Sequence, residues 1–169
     1  ALRGAGLVPV VLDVKPFAGL YPLEARLAEE PDRVFLVLDI GAESTSLVLL
    51  RGDKPLAVRV LTLSGKDFTE AIRPVLVGLT QEVRRSLEFF RIQLEEASPE
   101  MGYLLGGGSK LRGLASLLTD TLGVNFEPVN PWEAVAVDPK RFESEQLQEI
   151  GPEFAVALGL ALRGVEPLD

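Results

Sequence analysis

At 169 residues, 47% of them hydrophobic and 25% charged, the chain is long enough for one ordinary domain or two small lobes and too apolar for a disordered tail. It contains no cysteine and no histidine, which removes disulfides, thiol nucleophiles and the commonest general base, so any metal must sit on oxygen ligands. A net charge of −8 lacks the basic stripe that a nucleic-acid footprint needs, although backbone amides can still hold the phosphates of a nucleotide.

In chain order, Pro9–Val14 is expected as a strand and about Phe17–Ala28 as a helix. The acidic, proline-containing link Glu29–Asp32 reads as a lobe boundary. Val34–Leu38 is an apolar run rich in β-formers, which predicts a strand buried on both faces. A second strand is expected over Ser44–Leu50, a turn at Gly52–Pro55 and a third strand over Leu56–Leu63.

Between the first two strands stand Asp39, Gly41, Ala42, Glu43 and Ser44. A carboxylate fixed at a strand end, followed by a turn of backbone amides, suits phosphate oxygens and a Mg²⁺ or its water. The same residues equally suit an ordinary hairpin with a turn Asp.

Further along, Asp67 or Thr69 is expected to cap a helix near Phe68 that Pro74 interrupts, followed by a long amphipathic helix from Val75 to Ala97. On that helix Arg84, Arg85 and Arg91 are expected to form a solvated, paired face with neighbouring glutamates. Met101–Leu105 is a short strand, followed by Gly106, Gly107 and Gly108, then Ser109 and a helix from Lys110 to Leu122. Strand, glycine loop and helix present backbone to a phosphate, ribose or base, or make only a tight corner. The spacing is not that of a P-loop.

A strand over Val124–Val129, a loop at Asn130–Glu133 with Trp132 in local packing, and a solvated segment Lys140–Glu149 come next. Gly151-Pro152-Glu153 is expected to start a last, buried helix rich in small residues. Its apolar run, Phe154–Leu162, is about half the roughly 20 residues of a spanning helix, so no direct membrane insertion is expected. No signal peptide is read at Ala1.

The strings DIGAEST (Asp39–Thr45), LSGKDFTEAI (Leu63–Ile72), EVRRSLEFF (Glu82–Phe90), LLGGGSKLRGL (Leu104–Leu114) and PEFAVALGLALRG (Pro152–Gly164) together resemble the actin-like ATPase superfamily. Within it they look most like the PilM branch of type IV pilus assembly proteins, relatives of the division protein FtsA. The resemblance implies an α/β fold: an actin-like (ribonuclease H-like) lobe with a mixed sheet flanked by helices, and an incomplete first lobe. Residues 1–30 would be the remnant of that first lobe, 31–151 the second lobe, and 152–169 a helix packing back on the first.

It further implies an ATP site with Mg²⁺. Asp39 would lie near the metal or attacking water, with the amides of Gly41, Ala42 and Glu43 on the phosphates and the Ser44 and Thr45 hydroxyls nearby. Gly106, Gly107, Gly108, Ser109 and Lys110 would form the adenosine loop. Catalysis in such sites is positioning and charge neutralisation, so slow turnover is compatible with intact binding.

The implied protein is a cytoplasmic scaffold, peripheral to the inner membrane, that grips the cytoplasmic N-terminal tail of a bitopic pilus protein. Self-association is left open. Two features depart from the family: the first phosphate loop is absent, and Ile72 meets Arg73 where a small subdomain is expected. The alternatives are a lobe of a sugar or acid kinase and a secretion-system actin-like domain without nucleotide.

Overall fold

The computed structural model describes residues 4, 6, 8, 11–63, 72–95 and 98–165. The expected strand at Pro9–Val14 is not formed over 11–14, and its first two residues lie outside the described ones. The expected helix from Phe17 to Ala28 is instead three short pieces: α1 (Lys15–Ala18), a 3₁₀ turn (Tyr21–Leu23) and α2 (Glu24–Ala28). Gly19 caps α1, and Pro22 lies within the 3₁₀ turn, where its missing N–H removes a donor that a continuous helix would use.

The sheet has five strands: β1 (Val34–Ile40), β2 (Thr45–Arg51), β3 (Lys54–Leu61), β4 (Met101–Leu105) and β5 (Asn125–Pro128). Their order is β3-β2-β1-β4-β5. The hairpins β1–β2 and β2–β3 are antiparallel, whereas β1–β4 and β4–β5 are parallel, so the sheet is mixed. All seven residues of β1 are buried, as an uninterrupted apolar run at the centre of a two-faced sheet requires.

Alternation along β1 sends Leu36, Leu38 and Ile40 to one face, where α3 (Ile72–Leu94) and α4 (Leu114–Leu122) supply Leu79, Val83, Phe90, Leu114 and Leu118. Phe35 and Val37 take the other face with Leu20, Leu23, Leu27 and Ala155. That second layer consists of the segment before β1 together with α5 (Ser144–Val165).

Three helix expectations change. Pro74 lies in the first turn of α3, where its missing N–H has no intrahelical acceptor to lose, so it opens that helix rather than interrupting it. Ile72 and Arg73 are consecutive in this one continuous helix. The cap and helix start expected at Asp67–Thr69 lie outside the described residues. The helix placed at Lys110 begins at Leu114, after a 3₁₀ turn over Gly107–Lys110. Gly113 stands between them at φ +84, a conformation that suits glycine.

The last helix starts at Ser144 and carries Pro152 inside it, so the charged segment before Gly151 is surface, as expected, but helical. Only one side of α5 is buried: Pro152, Ala155 and Gly159 face inward while Phe154 and Leu160 are exposed. Trp132 closes this region locally. Its ring lies 5.8 Å from that of Phe154 and its Nε1 donates to the Leu147 carbonyl at 2.6 Å. On α3, Arg85 pairs with Glu82, whereas Arg84 donates to the Thr121 carbonyl.

Gly159 fixes how closely α5 approaches α1, since a Cβ there would lie 1.7 Å from the Ala18 carbonyl oxygen. Gly159→Val therefore forces the two elements apart and is expected to cost about 2 kcal/mol or more in urea unfolding, as overpacking does. Unchanged stability would mean that α5 does not seat on α1.

Candidate functional site

Parallel pairing brings the two glycine corners together. In the β1–β4 register Asp39 is opposite Leu105, so the chain leaves both strands at the same edge of the sheet. That edge, beyond the carboxyl ends of parallel strands and next to a strand of opposite direction, is where open α/β sheets bind ligands.

The corners touch. Gly106 sits at φ +79, and a Cβ on it would lie 2.5 Å from both Asp39 Oδ1 and the Ile40 carbonyl oxygen. A Cβ on Gly108 would lie 2.2 Å from Ile40 Cγ2. Both positions thus require glycine, the first for conformation as well as space. Gly107 differs, since a Cβ there meets only the Glu153 side chain, at 3.5 Å or more. Its outer surface is open.

Asp39 does not follow β1 but forms its penultimate residue, paired with Ser46 across the hairpin. It is 5% exposed. Its Oδ2 lies 3.0 Å from Lys15 Nζ, an ion pair, and makes no hydrogen bond within the structure. Gly41 N donates to the Ser44 carbonyl at 3.0 Å, closing a tight turn, with Ala42 and Glu43 exposed at its tip. Ser44 is half-buried.

Thr45 is elsewhere. It is the first residue of β2, fully buried, and its hydroxyl donates to the Leu63 carbonyl at 2.7 Å, so it braces the sheet instead of facing the corner. Ser109 is also committed: buried at 4% exposure, it donates to the Gly106 carbonyl at 2.7 Å and pins the glycine loop from inside. Lys110 reaches Glu153 Oε1 at 2.8 Å, and this hydrogen bond raises the lysine pKa above its ordinary value.

Four groups at this edge were not singled out by sequence. Ile40 is the surface on which the glycine loop rests. The Pro152 carbonyl accepts from Gly106 N at 2.8 Å, tying α5 to the loop, and Glu153 holds Lys110. Lys15, in a segment that reads as architectural, is the cation over Asp39, and a Cβ on Gly41 would lie 2.9 Å from its ammonium. The signal for Lys15 was indirect: a buried Asp at a strand end needs a counter-charge.

The donor set fits a nucleotide in part. The space that side chains would fill at Gly106 and Gly108 is taken by Asp39 and Ile40, so Gly107 is the glycine of the three whose backbone is exposed to a ligand. For Mg²⁺, no group of three or more carboxylate, histidine or cysteine side chains that could hold a metal occurs among the described residues. Asp39 would serve as a single carboxylate beside the phosphates, which Mg²⁺ accepts. The described hollows lie away from this edge, one of about 290 Å³ lying between the segment before β1 and the β2–β3 turn.

The fold is shared with actin-like proteins. The MreB 5 protein of Spiroplasma citri bound to AMPPNP superposes with a TM-score of 0.60 at 13% identity, covering 95% of this chain and 60% of that one. An archaeal actin homologue in complex with ADP gives 0.54 at 16%, over 90% and 56%. These likenesses define the class, an actin-like α/β lobe with a mixed sheet.

The particular family follows from closer matches. The model of the family "Type IV pilus assembly protein PilM" matches residues 69–165, more than half of the chain. A structure described as the PilM-PilN type IV pilus biogenesis complex is 83% identical, with a TM-score of 0.93 over 98% of this chain. The chain belongs to the PilM family of type IV pilus assembly proteins. It spans 56% of the length of that relative.

The contact between the corners is directly measurable. Gly108→Ala should lose about 1–3 kcal/mol of stability by overpacking against Ile40. Combined with Ile40→Ala it should lose less than the sum of the single changes, by at least about 0.5 kcal/mol in a double-mutant cycle. Strict additivity would separate the two corners.

Proposed function

We propose that this chain is the nucleotide-binding part of an actin-like scaffold in the type IV pilus assembly machine. The observation that carries the reading is the shared edge at which Asp39 to Ser44 and Gly106 to Lys110 meet. ATP is the proposed ligand, supported by two fold relatives described with AMPPNP and ADP.

In this reading the exposed turn residues Ala42 and Glu43 offer their amides to phosphate oxygens, the Gly41 amide being engaged by the Ser44 carbonyl, and the open backbone surface at Gly107 takes the nucleoside. Mg²⁺ would supply charge neutralisation on the phosphates, with Asp39 as the carboxylate nearest to it. In this reading the chain's own residues bind and orient, and no covalent step on the protein is needed. Slow turnover, or none, is the expected regime.

The proposed partner is the cytoplasmic N-terminal tail of a bitopic inner-membrane pilus protein, supported by the description of the 83% identical relative as a PilM-PilN complex. The scaffold would then act at the cytoplasmic side of the inner membrane through that partner. No helix among the described residues is long and apolar enough to cross a membrane.

Gly107→Ala separates binding from folding, because the three atoms nearest to an added Cβ all belong to the Glu153 side chain, at ordinary contact distances of 3.5 Å or more. It should leave the unfolding midpoint nearly unchanged while weakening ATP binding by calorimetry at least about tenfold, equivalent to 1.4 kcal/mol. Unchanged affinity would move the nucleoside away from this loop.

A further inference from the structure

We infer that Lys15 is the built-in cation of this edge: its ammonium neutralises Asp39 and, when nucleotide binds, bridges that carboxylate to a phosphate oxygen, so that binding depends only weakly on Mg²⁺. The inference rests on the nucleotide reading above and concerns a residue outside both glycine corners.

The carboxylate comes first. The Asp39 side chain is 7% exposed, and its Oδ2 has the Lys15 ammonium at 3.0 Å and no hydrogen bond. A buried charge so placed is stable only while a cation stands beside it.

The ammonium is not used up. The Lys15 side chain is 49% exposed, and an ammonium has three donors, none of which the Asp39 Oδ2 engages in a hydrogen bond. About half of the side chain thus faces solvent, where those donors can meet an anion. Position then selects what they meet, since Nζ is 2.9 Å from the point where a Cβ on Gly41 would be. It therefore lies directly over the first residue of the turn whose amides face the proposed phosphates.

Competition among the cations at this edge favours Lys15. Lys110 is locked to Glu153 at 2.8 Å and lies on the glycine loop. The carboxylates that would make a metal cage are missing among the described residues. A lysine that spans a buried Asp and a phosphate makes two charge-assisted contacts with one charge, the neutralisation that a metal otherwise provides.

The test is ATP binding by calorimetry to the full-length protein, with Mg²⁺ and with EDTA, for wild type, K15M, K15R and K15M/D39N. The double variant removes both charges, keeping the test open if K15M alone fails to fold. Wild type should bind ATP in EDTA within about tenfold of its affinity with Mg²⁺, while K15M and K15M/D39N should weaken in EDTA by about a hundredfold, and K15R should recover most of the loss. Mg²⁺-free binding in K15M/D39N equal to wild type, or wild-type binding that vanishes in EDTA, would overturn the role of Lys15 while leaving the nucleotide site standing. No ATP binding by wild type under either condition would instead remove the nucleotide reading itself.

Discussion

The alignment of β1 with β4 is the constraint on which the rest depends. Because the two strands run parallel with Asp39 opposite Leu105, their exits are neighbours, and the residues that follow must share one small volume. A shift of one residue would turn Leu36, Leu38 and Ile40 to the face now occupied by Phe35 and Val37, exchanging two complete sets of core contacts. The core therefore sets the register, and the register sets the geometry of the corners. Gly106 and Gly108 complete the arrangement, as any side chain at either would collide with Asp39 or Ile40. Residues around the corners that look chemical are in part structural for the same reason.

The glycine loop is also held from the opposite side of the chain. The Gly106 amide is bonded to the Pro152 carbonyl, and Lys110 to Glu153, two adjacent residues of α5. Pro152 lacks the N–H with which an interior helical residue would bond back along the helix, yet α5 continues through it. The same helix seats against Ala18 through Gly159, three residues beyond Lys15. One helix thus touches both the loop and the segment that carries the cation over Asp39.

Much of this was legible in the sequence, and the reasons for the exceptions are specific. The run at Val34 declared a buried strand, because five consecutive apolar residues leave no room for polar alternation, and Met101 a short strand; in the structure all seven and all five residues of these strands are buried. The family strings carried the pairing of those strands, which periodicity alone does not supply. What stayed hidden was the direction of individual side chains. Thr45 and Ser109 sit within loop-like strings, but each hydroxyl turns inward to a backbone carbonyl, since a buried carbonyl left without a donor costs more than a surface hydroxyl gains. Pro152 suggested a helix start because proline favours first turns, while the helix-forming stretch before it extended α5 back to Ser144. Lys15 was hidden because its partner lies 24 positions away and the ion pair leaves no local pattern.

Charge at the edge is nearly balanced before any ligand arrives. Asp39 meets Lys15, and Glu153 meets Lys110. The chain as a whole carries −8, so the proposed nucleotide, approaching from beyond the screening distance of about 8 Å at physiological salt, would meet mild repulsion rather than steering. Selectivity for an anion must then arise at contact, from backbone amides whose dipoles are fixed in place by the fold. Amides alone do not offset several negative charges, which leaves either an added metal ion or a cation already present. Of the two lysines at the edge, Lys110 is held by an exposed glutamate that would itself repel phosphate. Lys15 is held by a carboxylate that is buried, while about half of the lysine side chain itself is exposed. A cation so anchored remains in position without being neutralised from every direction, which is the electrostatic condition an anion site in an acidic protein has to meet.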